Sequence, residues 1–249
     1  MTTPYAPPRL SPGQIAQYER DGYTLSHAPV FADAKFARLK TIFEEDLQSY
    51  SEGELDMIHT RDARLLEFLL SPEILDLIEP VVGPDVGLWA SHFISKEART
   101  GKATPWHEDS AYWNGRTSTM QGICTVWLAL DEASKENGCM AVIPGSQAGG
   151  FSEYEAVADV AGNLFPTQIK ADQLDEAKAV YFELRPNECS LHEARIIHGA
   201  QANTSDKRRA GYTLRYFPTT TRVHPEKNVG HKIWLARGED RAGNVYENA

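Results

Sequence analysis

In the first third of the chain apolar residues recur at three- and four-residue intervals. After about residue 85 they gather into short runs bounded by glycine, proline and polar clusters. The first spacing predicts amphipathic helices and the second predicts strands. Ser11-Pro12 supplies an N-cap followed by proline at the first helical position, and the helix it opens carries Ile15 and Tyr18 to Asp21-Gly22, where glycine can close it. Residues 1–10 are proline-rich and predict a loose arm. Tyr23-Thr24-Leu25 predicts a short strand, and residues 33–50, with Phe36, Leu39 and Phe43 on one face, predict a second helix whose Glu44-Glu45-Asp46 forms a solvated side. Residues 51–63 are polar and loop-like. Two further helices are expected over 65–70 and 72–82, ending at Gly83-Pro84.

From residue 86 the pattern predicts strands at 86–95, 105–110, 122–130, 138–143, 178–184, 188–191, 195–198 and 209–217. Many short strands with turn signals between them indicate a sandwich or barrel. Eight strands preceded by helices fit a mainly β fold with flanking helices around a double-stranded β-helix, a jelly roll of cupin-like form. The expected organisation is one domain over 1–249: a mostly helical part at 1–85, a jelly-roll core at 86–218 and a charged tail at 219–249. A long polar insertion at 144–177 is expected over one mouth of the barrel, as a lid.

Composition narrows the function. An apolar fraction of 41% and an aromatic fraction of 10% describe a chain with a packed core. The formal charge, 25 − 35 = −10, leaves no electrostatic footprint for nucleic acid or an anionic membrane, so the expected partner is a small molecule. Three cysteines without Cys-x-x-Cys spacing argue against a disulfide framework or zinc ribbon and fit a reducing cytoplasm. The first residues have neither the basic nor the apolar segment of a signal peptide, and no apolar run approaches the ~18 residues of a membrane span.

The chemistry centres on Trp106-His107-Glu108-Asp109. Residues two apart on a strand share a face, so His107 and Asp109 aim an imidazole and a carboxylate at one point while Glu108 points away. A second histidine would complete a 2-His-1-carboxylate triad, the arrangement that holds non-heme Fe(II) with open positions. His198 is preferred because Ile196 and Ile197 suggest a buried strand and Gly199 a turn directly after it. His192 is the competing choice, set apart by the turn-like Glu193-Ala194-Arg195. His27, His59, His224 and His231 read as ordinary structural or surface histidines. On the predicted strand 209–217, Arg209, Gly211, Thr213 and Arg215 share one face. A guanidinium inside a barrel needs a counter-charge, which a bound dicarboxylate could supply; two arginines pointing to solvent is the alternative.

Taken together, these segments resemble the phytanoyl-CoA dioxygenase family of Fe(II)- and 2-oxoglutarate-dependent oxygenases. The resemblance is carried by the helix start at Ser11-Pro12, Trp106-His107-Glu108-Asp109 with Tyr112-Trp113, and Val126-Trp127-Leu128. It continues through Glu136-Asn137-Gly138, Ile143-Pro144-Gly145-Ser146, and His198-Gly199 with Asn203. Arg209 follows His198 by eleven residues (209 − 198), the family spacing for the co-substrate arginine. The resemblance implies His107, Asp109 and His198 as iron ligands and as the catalytic centre. It implies Arg209 as the clamp on the distal carboxylate of 2-oxoglutarate, with Trp127 as a wall of that pocket. The implied reaction consumes O2 and 2-oxoglutarate, hydroxylates an unactivated C–H, and releases succinate and CO2. Glutamine is usual where this chain has Glu108. His92, Lys96, Tyr112, Trp113 and Arg215 are candidates for substrate contacts, and the basic ones hint at an anionic substrate. The rival expectations are a cupin-type metal enzyme that does not use 2-oxoglutarate and a ligand-binding jelly roll without chemistry.

Overall fold

The computed structural model describes residues 5–248. In chain order it contains α1 (Pro12–Asp21), β1 (Tyr23–Ser26), α2 (Asp33–Ser49), α3 (Leu66–Leu69), α4 (Pro72–Val82), β2 (Val86–Lys96), β3 (Thr104–His107) and α5 (Asp109–Trp113). There follow β4 (Cys124–Ala129), β5 (Met140–Val142), β6 (Tyr154–Ala156), β7 (Thr167–Ile169), β8 (Val180–Tyr181), β9 (Cys189–Glu193), β10 (His198–Ala200), β11 (Arg209–Pro218) and β12 (Trp234–Arg237). A six-stranded sheet in the order β1-β9-β4-β11-β2-β12 faces a four-stranded sheet in the order β3-β10-β5-β8. Strands β2, β4, β9 and β11 belong to the large sheet and β3, β5, β8 and β10 to the small one, so the chain crosses repeatedly between sheets. That is the expected jelly roll.

The helical third covers the outer face of the large sheet. Tyr212, Leu214 and Tyr216 of β11 join Leu88, Phe93, Val126 and Leu128 in one apolar cluster with Leu39, Phe43, Phe68, Leu75 and Ile78 from the helices. At roughly 1.5–3 kcal/mol for each fully buried large side chain, this packing is what fixes the strand faces. It also commits the alternate residues Arg209, Gly211, Thr213 and Arg215 to the barrel interior. A bulge between Arg215 and Tyr216 leaves Trp89 of β2 without a partner across the ladder. Trp89 joins an interior cluster with Trp113, Phe217 and Ile233.

Local signals at α1 behave as expected. Ser11 and Gln14 form a capping box, and Gly22 closes the helix at φ 78°. Two expectations are corrected. Of the supposed loose arm, residues 1–4 lie outside the described residues, while Leu10 is buried and Arg9 pairs with Asp76 at 2.7 Å. Asp46 is not on a solvated face: it is buried, and its carboxyl is pushed up to about 6 by burial and then by the charge of Asp62. The insertion carries its own hairpin, β6 with β7. All three cysteines are free and buried. Among the described residues no helix is long and apolar enough to cross a membrane.

Candidate metal centre

The centre is assembled by strand pairing. β3 and β10 run antiparallel with His107 directly opposite His198, and their rings lie 4.1 Å apart. The expected strand 105–110 stops at His107, and Asp109 instead opens α5. The two side chains still converge because Glu108 between them is extended (φ −116°, ψ 130°), which preserves the two-residue alternation for one more step. His107 Nε2 and His198 Nε2 lie 3.9 and 4.0 Å from Asp109 Oδ1. All three residues are buried, and one ligand atom of each falls within 4.8 Å of the others.

His198 reaches its place differently from expectation. Ile196 and Ile197 precede the strand, which begins at His198 itself. Gly199 lies within β10 and makes no turn. A Cβ there would come within 3.1 Å of both the Thr104 carbonyl oxygen and the Trp106 ring. Glycine suits the position because the Thr104 backbone and the Trp106 ring approach closely.

The protonation states suit a divalent cation. His107 Nδ1 donates to the Pro105 carbonyl at 2.8 Å and His198 Nδ1 to the Ile196 carbonyl at 3.0 Å, so both Nε2 lone pairs face Asp109. Burial, then the neighbouring His198, pushes His107 down to about 3, leaving it neutral at neutral pH. Burial opposes the charge on Asp109, but Arg215 and the nearby histidines outweigh it and hold the carboxyl below its usual range. Arg215 Nε contacts Asp109 Oδ2 at 3.3 Å and leaves Oδ1 to the histidines. Two imidazoles and one carboxylate, buried and with both rings oriented by backbone carbonyls, fit Fe(II) as a donor set.

His192, the competing histidine, lies on β9 in the opposite sheet with its ring 5.2 Å from that of His198. It is buried, its Nδ1 has no partner among the described residues, and burial followed by His198 pushes it down to about 3. It backs the centre from the large sheet.

At the other end of the same interior face, Arg209 is buried against Trp127, with the guanidinium 5.2 Å from the ring centre. Its Nε and one terminal nitrogen donate to the Gly138 carbonyl at 3.0 and 2.8 Å. Gly138 has φ 77°, and a Cβ there would lie 2.3 Å from the Gln201 carbonyl oxygen, so glycine is required at that position. Gly211 has a related role, since a Cβ would meet the Trp127 ring at 2.2 Å. Lys96 stands opposite Arg209 in the ladder. Its ammonium donates to the Gln201 and Ala200 carbonyls at 2.7 and 3.2 Å. Burial and then Arg209 push Lys96 down to about 6, and burial pulls Arg209 to about 10. Neither has a carboxylate within salt-bridge distance among the described residues, so this end of the barrel holds two basic groups without an acidic partner.

The suggested substrate contacts divide. Lys96 belongs with Arg209. Arg215 is committed to Asp109, with Trp113 beneath its guanidinium at 5.4 Å, so its charge is balanced within the protein. The hint of an anionic substrate drawn from Arg215 and Lys96 loses its footing there. His92 lies on the inner side of β2, opposite Thr213 and 3.8 Å from Asp56. Tyr112 is half-exposed, 5.9 Å from His107 ring to ring.

Two contributions are not legible in the sequence. Phe165, from the insertion, sets its ring edge-on to His107 at 5.2 Å and beside Tyr112 at 5.7 Å. Glu108 is buried and accepts hydrogen bonds from the Ser152 hydroxyl and, at 3.2 Å, the Ser152 amide, while its own amide donates to the Tyr154 hydroxyl at 3.1 Å. The residue between the two centre residues therefore ties the insertion down. Glu108→Ala should free residues 150–170, at a cost of about 1.5–3 kcal/mol per lost charged hydrogen bond. Limited proteolysis should cut this segment faster in the variant; an unchanged cleavage pattern would show that the tether does not hold it.

Comparison with known proteins agrees with this geometry. The sequence model of the family described as phytanoyl-CoA dioxygenase (PhyH) matches residues 7–211. A phytanoyl-CoA dioxygenase domain-containing protein 1 homolog of Caenorhabditis elegans is 26% identical over 187 residues, covering 74% of this chain and 62% of the relative. The chain therefore spans less than two thirds of that relative's length. A solved non-heme monooxygenase, ThoJ, superposes with TM-score 0.77 at 22% identity, covering 94% of this chain and 87% of the other. The non-heme alpha ketoglutarate dependent carbocyclase SnoK from nogalamycin biosynthesis gives 0.72 at 22% identity, with 90% of each chain covered. These likenesses establish the jelly-roll fold, and with a family match across most of its length this chain belongs to the phytanoyl-CoA dioxygenase family.

Proposed function

We propose that the protein is an Fe(II)- and 2-oxoglutarate-dependent dioxygenase that hydroxylates an unactivated C–H of a small molecule. His107, Asp109 and His198 would hold the iron. Iron bound there supplies the coupled chemistry in which O2 and 2-oxoglutarate become succinate and CO2 while one oxygen atom enters the substrate as a hydroxyl. The chain's own part is positional. The Pro105 and Ile196 carbonyls fix both imidazole tautomers, and Arg215 restrains the outer oxygen of Asp109. Phe165 and Tyr112 cover the His107 side against water.

The observation that carries the 2-oxoglutarate assignment is the pair Arg209 and Lys96, buried together without a carboxylate. An uncompensated buried guanidinium is very unfavourable unless an anion arrives to meet it. The distal carboxylate of 2-oxoglutarate meets that need in the planar fork of Arg209. A cupin-type enzyme without this co-substrate, or a passive binder without chemistry, leaves both buried basic groups unexplained. The charge balance and buried free thiols support a cytoplasmic protein working on a small molecule, without nucleic acid or membrane as partner, as a single domain in which 144–177 closes over the centre.

The test is succinate formation from 2-oxoglutarate by the Fe(II)-loaded protein across a metabolite panel. Substrate-stimulated succinate, equal to hydroxylated product and abolished by a chelator, is expected. Iron binding without oxygen consumption on any panel member would instead support the passive binder.

A further inference from the structure

In a chain of charge −10, nearly every cation withdrawn from solvent has a carboxylate partner. Among the described residues three do not: Arg209 and Lys96, which face each other, and Arg116, alone beyond the end of α5. Arg116 is half-buried and held in place. Its guanidinium lies over the Trp89 ring at 4.9 Å, and its Nε donates to Asn228 Oδ1 at 2.8 Å. The Asn228 amide donates in turn to the Arg116 and His224 carbonyls, both at 2.8 Å. With Nε engaged, the two terminal nitrogens have no partner among the described residues and form an end-on fork.

A chain of packed side chains links that fork to the metal centre. Trp89 packs edge-on against Trp113 at 6.1 Å, and Trp113 carries Arg215, which touches Asp109. Along the chain, five residues of α5 rise ~1.5 Å each and the three residues beyond add at most ~3.6 Å each, so Arg116 lies within roughly 20 Å of Asp109. Asp56, exposed, is the carboxylate whose field reaches Arg116, and it also approaches His92 on the inner face of β2. His231 stacks on Trp89 at 4.2 Å and is the other titratable group beside Arg116.

We infer that Arg116 is the substrate-recognition cation: the substrate is a small organic anion whose carboxylate or phosphate group docks end-on in the Arg116 fork, several bonds from the C–H that is oxidised. The inference rests on the oxygenase reading, because it takes the Arg116 end of the barrel as the substrate's way in. It differs from an anionic subsite at Arg215 or Lys96, whose partners are already within the protein or in the co-substrate pocket.

The test uses metal-free full-length protein titrated separately with inorganic phosphate and acetate, reading tryptophan fluorescence, to which Trp89 beneath the Arg116 guanidinium contributes. Binding of one or both is expected, weakened about tenfold or more in Arg116→Gln because a charge-assisted hydrogen-bond pair is lost. The titrations are run in the Arg209→Gln background, which removes the competing carboxylate clamp beside Trp127. Arg116→Lys keeps the charge but not the fork, so it should fall between and serves if the glutamine variant folds poorly. Phosphate binding more than acetate identifies a phosphate-bearing substrate, and the reverse a carboxylate. In that background, anion binding that survives Arg116→Gln, or that is absent while Arg116 is intact, would overturn the inference. Succinate formation is assayed independently, so a protein that binds anions through Arg116 yet makes no succinate fails the oxygenase reading alone.

Discussion

His198→Ala should abolish Fe(II) binding and 2-oxoglutarate turnover, with His107→Ala and Asp109→Ala giving the same result. Residues that merely support a metal ligand change affinity or activity by ~10–100-fold, and removing one of three ligands should exceed that range. The discriminating partner is His192→Ala. His192 is as buried as the ligands and lies 5.2 Å from the His198 ring, but it sits on the opposite sheet. Its loss should stay within the supporting-residue range and leave iron bound. Equilibrium dialysis against Fe(II), read beside a melting curve for each variant, separates lost ligation from lost folding. Intact iron binding in His198→Ala with loss in His192→Ala would show that the centre uses the other histidine.

Much of this was legible because strand alternation is a strong constraint. Once Tyr212, Leu214 and Tyr216 are committed to the helical layer, Arg209 and Arg215 have nowhere to point but inward. The helix start at Ser11 and its end at Gly22 were equally plain, because capping is local chemistry. What failed was non-local. The strand through His107 ends earlier than its residues suggest, because Asp109 is needed at the opening of α5. Gly199 reads as a turn until Trp106 is seen packed against it. Arg215 cannot be assigned from parity, since its partner Asp109 arrives from another element. Phe165 carries no signal in an insertion without periodicity, and Glu108 becomes meaningful only when Ser152 and Tyr154 fold back on it.

Arg209→Met should separate function from stability in opposite directions. Truncating one member of a buried, hydrogen-bonded charge pair costs about 2–5 kcal/mol, which places the rise in 2-oxoglutarate half-saturation at ~30-fold or more. Arg209→Lys should recover only part, having the charge without the fork. In the absence of 2-oxoglutarate the same arginine is a liability: it is buried, faces Lys96, and among the described residues is met by the Gly138 carbonyl and the Trp127 ring but by no carboxylate. Replacing it by an apolar side chain of similar length should leave the ligand-free protein at least as stable, because buried charges exchanged for well-packed hydrophobes are often neutral or stabilising. Wild-type protein should gain stability with added 2-oxoglutarate as RT ln(1 + [L]/Kd), and Arg209→Met should gain little at the same concentration. A thermal shift series with and without 2-oxoglutarate measures both effects. A structural arginine would give the reverse pattern, a large fall in ligand-free stability with the ligand-induced shift preserved, and that result would move the clamp to Lys96.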